Sequence, residues 1–127
     1  MTPDKEPVVV LAFLTDLIFQ TKIVSTGSTL GVDVKTVRDP GELKQSIARH
    51  APALVLVDLN ASNGLEAVAS AMQQDDRHYR VIAYVSHVDR ALAEAATEAG
   101  VDDVLPRSRF TVELPALIRS CLENESV

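Results

Sequence analysis

"LVLVDLNASNG", residues 54–64, is the stretch on which the reading of the chain turns. Residues 53–58, "ALVLVD", are apolar on both parities, the pattern of a strand covered on both faces. The run stops at Asp58, and a polar turn leads on to Gly64. A strand buried on both sides belongs inside a parallel sheet, whose functional groups gather beyond the carboxyl ends of the strands. Asp58 stands at such an end, either as a reactive carboxylate or as a strand-ending residue that bonds its own turn.

The same pattern recurs on either side. "VVVLAF" (8–13) is a second strand apolar on both parities, "RVIAYVS" (80–86) a third, "VDVKTV" (32–37) alternates like a strand near a sheet edge, and "DDVLP" (102–106) is short. Helices alternate with them. Thr15 or Asp16 can cap the first, with Phe19, Ile23 and Leu30 on one face and Gly31 as its stop. Asp39 and Pro40 open the second, which presents Leu43, Ile47 and Ala48. Residues 64–74 carry Leu65, Val68 and Met72 at helical spacing, and 89–100 form an alanine-rich helix closed by Gly100. The last helix carries Leu114, Leu117, Ile118 and Leu122, and Pro115 is expected in its first turn, where a proline is tolerated. The alternation predicts a five-stranded parallel sheet in a doubly wound (βα)5, flavodoxin-like three-layer α/β sandwich. Val9, Leu11, Val55, Val57, Ile82 and Tyr84 or their strand neighbours are its expected core.

At 127 residues the chain fits one domain, expected over 7–127 behind a loose polar tail at 1–6. Its formal net charge of -6 repels phosphate backbones and anionic lipid, so nucleic acid and membrane are poor partners. The longest apolar run is flanked by Asp4 and Glu6 and broken by Asp16, so no targeting signal is read there. Cys121 is the single cysteine, expected on a half-buried helix face, and suits a reducing cytoplasm. "STGSTLG" (25–31) looks like a phosphate loop but ends a helix, whereas nucleotide loops follow a strand and begin one. His50, His78 and His87 lie apart without metal spacing, Asp75, Asp76 and Arg77 read as a solvated loop, and Asp102 with Asp103 as an ordinary acidic turn before the fifth strand.

The five βα units and the residues at their strand ends resemble the receiver domain of two-component response regulators over nearly the whole chain. The resemblance implies that Asp58 is the phosphoacceptor candidate, that Ser86 and Arg107 are switch-like, and that Asn60, His87 and Asp16 lie beside the site. Receivers also carry two adjacent acids after the first strand that help hold Mg²⁺, where this chain has "LAFLTD". Asp16 and Asp58 are then the only metal candidates, and Asp16 is expected to cap its helix. Arg107 replaces the usual lysine, Ser108 follows it where a proline is usual, and Val104 stands where many receivers have an aromatic switch residue. Arg107 is expected to pair with Asp58 and to pull its pKa down.

The expectation is an atypical, stand-alone pseudo-receiver, without cofactor and without enzymatic activity. It acts through contact with a protein, a homodimer partner or another chain. The first alternative is a phosphorylatable response regulator that uses Mg²⁺ and a histidine kinase. The second is a small flavodoxin-like enzyme or ligand binder.

Overall fold

The computed structural model describes residues 8–74, 77–86 and 89–125. Five strands alternate with five helices: β1 (Val9–Phe13), α1 (Leu17–Thr29), β2 (Asp33–Val37), α2 (Pro40–His50), β3 (Leu54–Asp58), α3 (Gly64–Met72), β4 (Arg80–Val85), α4 (Arg90–Glu98), β5 (Asp103–Pro106) and α5 (Arg107–Glu125). All the strands pair in parallel in the order β2-β1-β3-β4-β5, so β2 and β5 are the edges. The doubly wound α/β architecture read from the alternation is the one observed. The expected tail at 1–6 lies outside the described residues.

Period-2 geometry divides the core between the two sides of the sheet. Val10, Ala12, Leu54, Leu56, Ile82 and Tyr84 face α1 and α5, where they meet Phe19, Ile23, Phe110, Leu114 and Ile118. Leu11, Phe13, Val55, Val57, Val81 and Ala83 face α2, α3 and α4. Val9, at the start of β1, is only half-buried. Each large side chain fully buried in this way contributes about 1.5–3 kcal/mol. Cys121 belongs to the first of these layers and is buried, not half-buried as expected.

Two further expectations need correction. The last helix begins at Arg107, directly after β5, so Pro115 lies inside it and not in its first turn. Phe110 and Leu114 are fully buried, and Thr111 Oγ1 bonds Arg107 O at 2.9 Å, so packing holds the early turns despite the missing proline N–H. Arg77 is not a merely solvated loop residue, nor Asp102 an ordinary turn residue, while Asp75 and Asp76 lie outside the described residues. Asp102 Oδ2 accepts from Arg77 at 2.8 Å and from Val81 N–H at 2.7 Å, which staples the turn before β5 to the start of β4.

Glycine sets two close approaches. A Cβ on Gly27 would meet Val34 Cγ2 at 2.3 Å, so the middle of "STGSTLG" is a helix-to-strand packing point inside α1 and not a ligand loop. A Cβ on Gly64 would meet Leu59 O at 2.7 Å and Asp58 O at 2.9 Å, so the turn after β3 lies tight against the start of α3.

Candidate functional site

The carboxyl edge of the sheet collects Asp58, Asn60, Asp16, Ser86 and Arg107. Asp58 ends β3 opposite Tyr84 of β4. It is 7% exposed, the one buried charged residue among those described. Its Oδ1 accepts from Asn60 N–H at 2.9 Å, the turn bond expected of a strand-ending aspartate.

Asp16 caps α1, accepting from Phe19 N–H on Oδ1 at 3.0 Å. Its other oxygen, Oδ2, accepts from Arg107 Nη2 at 2.9 Å. The cap was foreseen and the ion pair was not: Arg107 bonds Asp16 and not Asp58. The loop after β1 thus does bring one acid into the site, immediately behind Thr15. The Arg107 guanidinium also lies 4.5 Å from the centroid of the Phe19 ring, a cation–π contact.

The acidities follow from this geometry. The Phe19 N–H and then Arg107 hold the Asp16 carboxyl below its ordinary value. Burial pushes Asp58 up, and Asn60 N–H and the Arg107 charge offset that only in part. The expected lowering of Asp58 is therefore reversed, because the arginine's direct bond goes to a different carboxylate and Asp58 keeps the desolvation cost.

Below the ion pair lies an aromatic stack. Tyr84 stacks on Phe110 with ring centroids 4.2 Å apart, and Phe19 tilts against both at 5.3 and 5.9 Å. The Tyr84 hydroxyl is buried, with no hydrogen-bond partner among the described residues. Burial first, and the Asp58 charge second, push the phenol far above its ordinary value.

Ser86 follows β4, and its backbone N–H donates to Asn60 Oδ1 at 2.7 Å. Asn60 Nδ2 donates to Asp89 Oδ2 at 3.3 Å. Asp89 caps α4 and was read from sequence only as a helix start. Its place beside Asn60 depends on β3 and β4 being neighbours, which no local pattern announces. His87 lies outside the described residues.

No protein-family model matches the chain, and no curated protein matches it. Solved structures do. The chain is similar to the receiver domain of the sensor histidine kinase PA1611 from Pseudomonas aeruginosa, solved with magnesium in its active-site cleft (21% identity, TM-score 0.78, 93% of this chain and 99% of that one). It is similar to the response regulator domain of Thermotoga maritima CheB (19%, TM-score 0.72, 93% and 98%). It is similar also to the phosphorylated cyanobacterial phytochrome response regulator RcpA (17%, TM-score 0.72, 91% of each chain). At these identities the likeness is one of fold: the chain has the CheY-like fold of receiver domains. Among the described residues no helix is long and apolar enough to cross a membrane.

Proposed function

We propose that this chain is an atypical receiver domain that works in signal transduction by contact with a protein partner, without Mg²⁺-dependent phosphorylation of Asp58. The observation that carries this reading is the bond from Arg107 to Asp16. Mg²⁺ takes an octahedron of oxygens and is held by carboxylates with free lone pairs. In this site both oxygens of Asp16 are engaged, by the helix cap and by the guanidinium, so a fixed cation already neutralises the acid nearest the end of β1. We read this donor set as a poor one for the ion, since Asp16 would have to exchange the guanidinium for it. Asp58, with its acidity weakened by burial, is then an anchor for the turn after β3 more than a nucleophile.

Contact is the remaining output, and the module is regulatory, not catalytic. The surface of α4 and β5 suits a protein partner: a shallow concavity over Ala93, Val104, Leu105 and Pro106 is flanked by Glu94 and Glu98. A homodimer through this face is one form of that contact.

A second reading keeps Asp58 as phosphoacceptor, with a histidine kinase as donor. It is favoured by the position of Asp58 at the end of the central strand, and it draws on the phosphorylated RcpA and magnesium-bound PA1611 structures. Intact-mass spectrometry after incubation with acetyl phosphate and Mg²⁺ separates the two readings. We expect no mass gain; a gain of one phosphoryl group that vanishes in Asp58→Asn establishes the second reading.

A further inference from the structure

Of the five large apolar side chains exposed among the described residues, three lie on α1: Leu17, Val24 and, at 85%, Ile18. They form part of one surface. Leu17 and Val24 are seven positions apart and share a face, and Ile18, Thr21, Ser25 and Ser28, all exposed, run beside them at spacings of three and four. The Thr21 hydroxyl donates to Leu17 O at 3.1 Å, so it needs no outside partner. α1 is also the one helix without an acidic residue, and Lys22 is its sole charge. Asp16, at its cap, is already bonded to Arg107. On a chain of net charge -6, two copies repel wherever they present carboxylates to each other. The outer face of α1 is where they can touch without doing so, and it offers a foreign protein little charge to recognise.

We propose that this face of α1 docks a second copy of the chain, as an antiparallel, two-fold helix pair. The face is complementary to itself: its amino-terminal end is large and apolar, with Leu17 and Ile18, and its carboxyl-terminal end is small, with Ser25 and Ser28. A two-fold axis across the middle of the helix sets the large end of each copy over the small end of the other, Ile18 against Ser28 of the second copy. The two Lys22 ammonium groups stay in water on their long stems. Such a contact uses the same patch on both chains and closes at a dimer. α1 spans about 20 Å, and one helix of that length falls short of the ~1,600 Å² of a standard stable interface, so the dimer is reversible and follows concentration. α1 and α4 cover opposite sides of the sheet. The inference therefore goes beyond the reading above and leaves the α4–β5 surface free for a different protein.

Sedimentation equilibrium of the full chain, over a concentration series reaching the millimolar range, tests this without a partner protein or a phosphodonor. The weight-average mass should rise from one chain toward two. Ile18→Asp places a carboxylate in the contact twice over and should weaken association about tenfold. The side chain is exposed, so the dilute variant should melt like wild type. Ser28→Lys should weaken association likewise, and an equimolar mixture of the two variants should recover it, because one aspartate then faces one lysine. Thr97→Asp, which adds the same charge on α4, should leave association unchanged. A wild type that stays monomeric at every concentration overturns the proposal and assigns the face to a protein of another sequence. Association that survives Ile18→Asp, a mixture no stronger than its parts, or an equal loss through Thr97→Asp overturns it too.

Discussion

Arg107 and Asp16 stand 91 positions apart in the chain and are joined by a 2.9 Å bond from Nη2 to Oδ2. The pair ties the first residue of α5 to the cap of α1 at the sheet edge where Asp58 ends β3. It also decides the charge pattern of the site, because a guanidinium engaged by one carboxylate stabilises the other only from a distance.

Removing Arg107 should move two carboxyl groups in the same direction. In Arg107→Ala, Asp16 should titrate higher but stay below its ordinary value, since the Phe19 N–H remains. Asp58 should rise further above its own, because the arginine's charge now offsets part of the burial cost. Carboxyl-detected NMR titration reads both shifts; an unmoved Asp58 would contradict the electrostatics described here. Thermal stability should change little, as expected of an exposed pair.

Two aspartates should give opposite pH signatures. Asp58 titrates above its unfolded value, so its contribution is most favourable at low pH and is lost as pH rises through the folded pKa. Asp58→Asn should therefore melt higher than wild type at neutral pH, and the gain should fade in acid. Burial alone would raise Asp102, but Val81 N–H and Arg77 outweigh it and hold the carboxyl below its ordinary value. Its contribution is present above the unfolded pKa and is lost as pH falls through the folded one. Asp102→Asn should cost about 1 kcal/mol at neutral pH, a figure reduced for partial exposure, and progressively less in acid. Thermal melts between pH 3 and 8, a range chosen to span the ordinary carboxyl value of ~3.9, check both signs.

Gly64→Ala should destabilise more than Gly27→Ala, although the shorter clash is at Gly27. At Gly27 the obstacle is a Val34 methyl, which can turn away, whereas at Gly64 it is the backbone oxygens of Leu59 and Asp58. We expect about 2–3 kcal/mol at Gly64 and about 1 kcal/mol at Gly27, within the range for overpacked sites. Urea denaturation measures both, and a reversed order would mean that the turn after β3 yields more easily than described.

Pro115→Ala should stabilise the chain by about 1–3 kcal/mol, by restoring a helical N–H and relieving the clash of the ring with the preceding turn. Calorimetry checks the direction. A loss of stability would show that the proline's restriction of the unfolded chain outweighs its cost in α5.

The architecture was legible because β1 and β3 are apolar on both parities and the glycines at 31 and 100 close their helices with φ of +79° and +98°. The start of α5 was not, since Arg107, Ser108 and Arg109 look like a loop and Pro115 offers a false start. Within the site, Asp58 at a strand end and Asp16 at a cap could be read locally. The partner of Arg107 could not, because two acids lie at the same sheet edge and only the finished packing selects between them. Asn60 was placed beside the site, but its two-armed bond needs the spatial neighbourhood of β3 and β4. The pairing of Arg77 with Asp102 was missed for the same reason, since the two are separated in sequence and meet only where β4 and β5 begin side by side.

The aromatic stack has an optical consequence. The chain has no tryptophan and two tyrosines, at opposite ends of β4: Tyr79 bonds Ala71 O just ahead of the strand, and Tyr84 stacks on Phe110 beside Asp58. In a Tyr79→Phe background all tyrosine emission would come from the one ring that touches the site. A change of charge at Asp58, or a displaced Arg107, would then be visible as a change in quantum yield. The domain carries its own fluorophore at the carboxyl edge of its sheet, and partner binding can be followed there without a label.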